Sequence, residues 1–220
     1  MTVWNLLSIA GSFNITAPAA GVIAVWLARQ PDRTAMKHWL YLLGFSAGIV
    51  IISKLAFIGW GIGIRDLDFT GFSGHSMRAA TTFPVLFYLL VAWLHDGSRN
   101  LAALAGLILA ALIAWSRIEV HAHSVSEAVS GYALGAATSL YFLYGLRERF
   151  DLKMHPAFAV LSLLALALPT QLPPVPTQSI LIRTALFISG HPAPYIRATW
   201  RMAPLPGRPH LTQTPGQRAR

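Results

Sequence analysis

Apolar residues run along this chain in blocks, with polar residues gathered into the short stretches between them. Residues 6–28, 39–60, 79–94, 101–115, 128–146 and 156–169 are each nearly free of charge. A helix that crosses a hydrocarbon core of about 30 Å needs about 20 such residues, with about 17–25 tolerated. The pattern predicts an all-α fold, a polytopic transmembrane helix bundle of about six spans, the last of them short. The chain opens MTVWNLLS, with no basic stretch ahead of the first block, and that block is long for the apolar core of a signal peptide. It therefore reads as a span.

Composition agrees with this. Hydrophobic residues make up 55% of the 220 and charged residues 11%, whereas a soluble domain carries about 25% charged residues. There is no cysteine, so neither a disulfide framework nor a thiolate metal site is available. A net charge of +9 could suggest nucleic acid, but its distribution argues for a membrane instead. Arg29, Arg33 and Lys37 lie in the first connection, Arg99 in the third, and Arg147, Arg149 and Lys153 in the fifth. Short loops rich in Lys and Arg stay cytoplasmic. The second and fourth connections, which carry Arg65, Arg78 and Arg117, then face outward with the amino terminus.

After the last block the character changes. Residues 1–170 read as the transmembrane domain and 171–220 as a tail rich in Pro and Arg. Within the tail, TQSILIRTALFIS (177–189) is a candidate interfacial helix, and the closing PLPGRPHLTQTPGQRAR reads as disordered. If the sixth block crosses, this tail is outside.

Ionisable residues at membrane depth are costly and are functional candidates by default. Lys54 stands near the outer end of the second block, where a lysine can also simply snorkel to the headgroups. FSGHS, residues 72–76, opens the third block. There Gly74 permits a tight backbone path, and Ser73 can cap the following helix. The free N–H groups of that helix start then form an anion site beside His75. The plainer alternative is a capped helix with an interfacial histidine.

The richest stretch is SRIEVHAHSVSE, residues 116–127. On a helix, His123 and Glu127 at i, i+4 share a face. A carboxylate on one imidazole nitrogen fixes the tautomer and frees the other nitrogen as a nucleophile or base. Arg117 offers a planar fork for phosphate oxygens. Two alternatives stand beside this: a polar hairpin with Arg paired to Glu, and a metal site built from His121, His123 and Glu127. The predicted topology puts Lys54, His75, Arg117, His123 and Glu127 at one membrane face. Such a set suits a phosphoryl group, with cations on its oxygens, one histidine attacking and the other protonating the leaving oxygen.

Taken together, these motifs resemble the type-2 phosphatidic acid phosphatase superfamily, which also includes soluble acid phosphatases and vanadium haloperoxidases. The family pattern is K-x-x-x-x-x-x-R-P, then P-S-G-H, then S-R-x-x-x-x-x-H-x-x-x-D. The third part is matched by Ser116, Arg117, His123 and Glu127, with glutamate in place of aspartate. The second is matched as F-S-G-H, with Phe72 in place of proline. The first is matched at Lys54, but Gly61 stands where the family has arginine, and the nearest arginine is Arg65. The resemblance covers residues 39–146, the expected catalytic core.

The resemblance implies an integral membrane lipid phosphatase acting on a lipid phosphate or diphosphate without metal or other cofactor. His123 would be the nucleophile and form a phosphohistidine, Glu127 would hold its other nitrogen, and His75 would be the acid. Lys54, Arg117, Ser73, Gly74 and Arg65 would bind the phosphoryl oxygens. The expected partner is a membrane lipid, not nucleic acid. The expected place is a bacterial inner membrane, multi-pass, with the active site at the outer water boundary facing the periplasm. A lipid-to-lipid phosphotransferase and a catalytically weakened lipid-phosphate-binding protein are the alternatives.

Overall fold

The computed structural model describes residues 2–91, 98–147 and 175–202, and within them every regular element is helical. In chain order these are α1 (Val3–Ala10), α2 (Phe13–Ala28), α3 (Thr34–Trp60), α4 (Gly74–Leu90), α5 (Arg99–Glu119), α6 (Val125–Arg147), α7 (Thr177–Ser189) and α8 (Arg197–Met202). A single 3-10 turn, Arg65–Leu67, lies in the α3–α4 connection.

Five of the six expected blocks are occupied by helices, and the differences have local causes. The first is broken: α1 and α2 meet at a bend of 41° around Gly11 and Ser12. Helix α3 starts before its apolar block, where the Asp32 carboxylate accepts bonds from the Thr34 amide at 2.9 Å and the Thr34 hydroxyl at 2.7 Å. Helix α4 also starts early, at the polar FSGHS, because Ser73 caps it. Among the described residues, α3 and α5 can each cross a membrane by length and composition, and the bent α1–α2 pair brings the number to at most three. The sixth block, 156–169, and the tail beyond residue 202 lie outside the described residues.

Helix α4 is the hub, packed against α2, α3, α5 and α6. Its GHSMRAATTFPVLFYLL sequence buries nearly every side chain, including Met77, Thr81, Val85 and Leu89. Glycines on its neighbours let the backbones come close, as small residues do between membrane helices. A Cβ on Gly131 would lie 2.5 Å from the Ser73 carbonyl oxygen, one on Gly135 2.2 Å from that of Met77, and one on Gly106 of α5 2.6 Å from Pro84 Cα. A polar contact joins α3 to α6, the Ser46 and Thr138 hydroxyls lying 2.6 Å apart. On the outside, α3 and α5 show Tyr41, Phe45, Ile52, Leu101, Leu104 and Ile108, as a lipid-facing surface would.

This arrangement fixes the site. The carboxyl ends of α3 and α5 and the amino ends of α4 and α6 meet at one end of the bundle. They bring Lys54, Arg117, His75 and Glu127 together. Arg29, Arg33, Lys37 and Arg99 sit at the opposite helix ends. The tail helix α7, at the expected positions 177–189, packs along α3, with Ala185 buried among Phe57, Ile58 and Trp200.

Candidate active site

The turn between α5 and α6 folds back on itself. The amides of Ala122 and His123 both donate to the Arg117 carbonyl, at 3.1 and 3.2 Å, and His121 takes the left-handed conformation with φ 55°. Ser124 and Glu127 then form a reciprocal cap on α6, the arrangement favoured by Ser at the cap and Glu three residues on. The Glu127 amide donates to Ser124 Oγ at 3.4 Å, and the Ser124 amide donates to Glu127 Oε2 at 3.3 Å. That geometry carries Glu127 Oε2 to 2.7 Å from His123 Nδ1.

Glu127 is 1% exposed. A buried carboxylate is tolerable only when its lone pairs are filled. Its second oxygen, Oε1, accepts from the Thr70 amide at 2.8 Å, from the Thr70 hydroxyl, and from Arg197 Nη2 at 2.6 Å. The methylene that glutamate adds relative to aspartate leaves the imidazole contact intact, and the longer side chain spans both sets of donors.

Opposite this pair is the FSGHS loop. The Ser73 amide donates to the Glu127 carbonyl at 3.0 Å, tying the start of α4 to the start of α6. Ser73 Oγ accepts from the Ser76 amide at 3.4 Å and the Ser76 hydroxyl at 3.0 Å, as a helix cap does. Gly71, at φ 135°, lets the chain run over α3: a Cβ there would meet Lys54 Cγ at 3.2 Å. The Phe72 amide donates to Ser53 Oγ at 3.3 Å. His75 packs against Gly11 at the α1–α2 break, and Arg117 Nη1 donates to Ser8 Oγ of α1. Arg117 Nε is buried without a hydrogen-bond partner.

The cations converge. His75 lies within electrostatic reach of Arg117, Arg78, His123 and Lys54, and Lys54 within reach of Glu127, Arg78, Arg117 and Arg197. His123 stands in the turn outside the helical spans. Burial pushes its pKa below the ordinary imidazole value, against the opposing pull of the Glu127 hydrogen bond. With Nδ1–H donated to the carboxylate, Nε2 carries the lone pair of a neutral imidazole. The site can therefore hold a nucleophilic imidazole among Lys54, Arg78 and Arg117, beside a second imidazole.

Three participants escaped the sequence reading. Arg78 lies one turn into α4; its Nε donates to Thr16 Oγ1 at 3.2 Å, and its Nη1 would lie 3.0 Å from a Cβ on Gly74. A lone arginine in an apolar helix, four residues after the glycine of FSGHS, is the signal that could have found it. Thr70 and Arg197 bind a carboxylate 57 and 70 residues away in sequence, a pairing no local pattern discloses. Arg65, by contrast, places its guanidinium 5.3 Å over the Trp200 ring. His121 is exposed, with Nδ1 3.2 Å from the Ile118 carbonyl. Among the described residues no group of three or more His, Cys, Asp or Glu is arranged to hold a metal ion.

A family model for the PAP2 superfamily matches residues 60–151, the stretch that carries FSGHS and SRIEVHAHSVSE. The chain belongs to the PAP2 superfamily. An uncharacterised 22.5 kDa protein in the cps region of Klebsiella pneumoniae is 39% identical over 199 residues, covering 88% of this chain and 95% of that one. Phosphatidylglycerophosphatase B of Bacillus subtilis (strain 168), a PAP2 member, is 35% identical over 83 residues, 36% of this chain and 39% of that one. No solved structure matches the chain. The PAP2 assignment and the phosphatase relative support a phosphatase, and the apolar helices with bacterial relatives support a bacterial membrane protein.

Proposed function

We propose that this PAP2 protein is an integral membrane lipid phosphatase. Its substrate is a lipid phosphate or diphosphate, and it works through a phosphohistidine on His123. The observation that carries this is the 2.7 Å bond between His123 Nδ1 and Glu127 Oε2, set among Lys54, Arg78 and Arg117. His123 Nε2 attacks phosphorus, and the bond from phosphorus to the lipid oxygen breaks. His75 gives its proton to the departing oxygen. A water then loses a proton to His75 and attacks the phosphohistidine. The P–N bond breaks, and inorganic phosphate leaves with neutral His123 restored.

Lys54, Arg117 and the start of α4 at Ser73 and Gly74 bind the phosphoryl oxygens, stabilising charge where it builds. Arg78 takes the cationic place expected of Arg65, because its Nη1 lies beside Gly74 while Arg65 covers Trp200. The basic residues at the far helix ends favour a cytoplasmic location for that end, which turns the active site to the periplasmic side of an inner membrane. There a lipid phosphate reaches the site while its tails stay in the bilayer.

The test is phosphate release from a panel of lipid phosphates and diphosphates in detergent micelles with EDTA present, for the wild type and His123→Ala. Release that persists with EDTA and vanishes in the variant supports the reading. Release that EDTA abolishes, or that His123→Ala retains, overturns it.

A further inference from the structure

The segment after α7 returns to the active site and is docked along the α3–α4 connection. Helix α7 ends at Gly190, in the left-handed conformation at φ 70°. The Tyr195 amide donates to the Ile58 carbonyl at 2.9 Å. Trp200 is buried edge-on against Phe57, with ring centroids 5.3 Å apart, and its Nε1 donates to the Gly61 carbonyl at 2.9 Å. Arg201 pairs with Asp68, its Nε 2.9 Å from Oδ1. Residues 190–202 thus form a strap across the 57–70 segment, and the strap lies beyond the family-matched residues 60–151.

Arg197 projects from the strap into the catalytic pair. Its Nη2 is 2.6 Å from Glu127 Oε1 and donates to Thr70 Oγ1 at 3.2 Å, and its Nη1 is 3.6 Å from Asp68 Oδ2. Glu127 thereby has its two oxygens divided between two tasks. Oε2 faces His123 and the Ser124 amide; Oε1 is taken by Thr70 and Arg197. A carboxylate held at both oxygens cannot rotate away from the imidazole.

We propose that Arg197 is a positioning residue for the reaction, and that the strap carrying it completes the active site from outside the family-matched core. This rests on the phosphohistidine reading above. Arg197 acts through Glu127. It fixes the carboxylate that orients His123, and it draws off part of the negative charge that would otherwise favour imidazolium. Without Arg197 the uncompensated carboxylate raises the pKa of His123, so the acid limb of the pH–rate profile moves to higher pH.

The experiment compares wild type, Arg197→Ala, Arg197→Lys, Arg201→Ala and His123→Ala as purified full-length protein in detergent. Each is assayed for phosphate release against pH. The His123 imidazole is also titrated by NMR of histidine-labelled protein, its signal assigned by its loss in His123→Ala. Arg197→Ala should lower kcat about tenfold with KM within about twofold. It should also move the acid limb and the His123 midpoint up by about half a pH unit or more. Arg197→Lys should recover part of both. Arg201→Ala loosens the strap without touching Glu127, so it should lower the melting temperature and leave the acid limb in place.

Wild-type kcat and an unmoved midpoint in Arg197→Ala would overturn the proposal, as would an equal midpoint shift in Arg201→Ala. If the wild type releases no phosphate, the phosphatase reading falls. The titration still decides whether Arg197 sets the state of His123.

Discussion

Two regions meet on the Glu127 carboxylate, and they are built differently. The α4–α5–α6 core approaches through glycine: Gly106, Gly131 and Gly135 leave no room for a side chain against α4. Its contacts at the candidate site are short in sequence, as in the reciprocal cap between Ser124 and Glu127 and the i, i+4 pair of His123 and Glu127. The strap is attached by separate anchors on its surface, and Arg197, though bonded to a buried carboxylate, is itself 30% exposed. Close backbone packing makes the core intolerant of change. The strap is held chiefly by side-chain contacts, and Arg197 is its link to the carboxylate. The expected consequences of substitution divide accordingly.

The largest effect is expected at His123, the proposed nucleophile. His123→Ala should lower kcat at least a thousandfold, measured as phosphate release, with the fold unchanged by circular dichroism. Next is the packing that brings the two motifs together. Gly135→Val would drive a side chain into the Met77 carbonyl, 2.2 Å from the first added carbon. Overpacking of this kind costs about 3 kcal/mol or more where backbone has to move. The measurement is the melting temperature in detergent, which should fall by about 6–12 °C. A variant that keeps the wild-type value would mean that α4 and α6 can separate without penalty.

Glu127 then sharpens the comparison between local and distant holds. Glu127→Gln keeps the shape but loses the charge, and one face of its amide donates where His123 Nδ1–H needs an acceptor. It should cost about a hundredfold or more in kcat. Glu127→Asp keeps the charge but is too short to serve Ser124, His123, Thr70 and Arg197 at once, and about tenfold is expected. If the aspartate variant instead matches the glutamine one, reach rather than charge governs the site.

The all-α class and the order of the helices were legible because apolar blocks report membrane-length helices directly. The block pattern could not show that α1 and α2 are separate helices, since Gly11 and Ser12 are too short a polar interruption to stand out among apolar neighbours. Nor could it show that α4 is a buried hub. An apolar block reads the same whether lipid or protein surrounds it. At the site, Ser73, His123 and Glu127 could be read because cap and pair act within a single turn of chain. Thr70 and Arg197 could not, and Arg78 showed only as a lone charge in an apolar helix, without its partner. Their partners are Glu127 for Thr70 and Arg197, and Thr16 for Arg78, which lies 62 residues away. Asp68 had no role in any motif, and in the fold it anchors Arg201 and lies beside Arg197.

The pH dependence follows from the burial of His123. On the proposed mechanism His123 must be neutral to attack, and burial lowers its pKa below the ordinary imidazole value of about 6.5. As pH falls, the imidazole therefore stays neutral past the point at which an exposed histidine would protonate. The acid limb of kcat/KM should lie below pH 6.5, and a limb above that value would mean that Glu127 outweighs burial.

The finest distinction is between Arg78 and Arg65, the two arginines that compete for the place of the missing family arginine. Arg78 stands on the helix whose amino end is the proposed phosphoryl site, next to Gly74, and is held there by Thr16. Losing such a donor costs about a hundredfold or more in kcat/KM, and Arg78→Lys should restore only part, because a point charge replaces a planar fork. Arg65 lies over the buried Trp200 ring, a contact worth about 0.5–2 kcal/mol. Arg65→Ala should therefore lower kcat/KM less than about threefold, its main effect being a slightly looser strap. The two variants are read in one assay on one substrate. A loss in Arg65→Ala as large as that in Arg78→Ala would return Arg65 to the phosphate, and would mean that the α3–α4 connection closes onto the substrate when it binds.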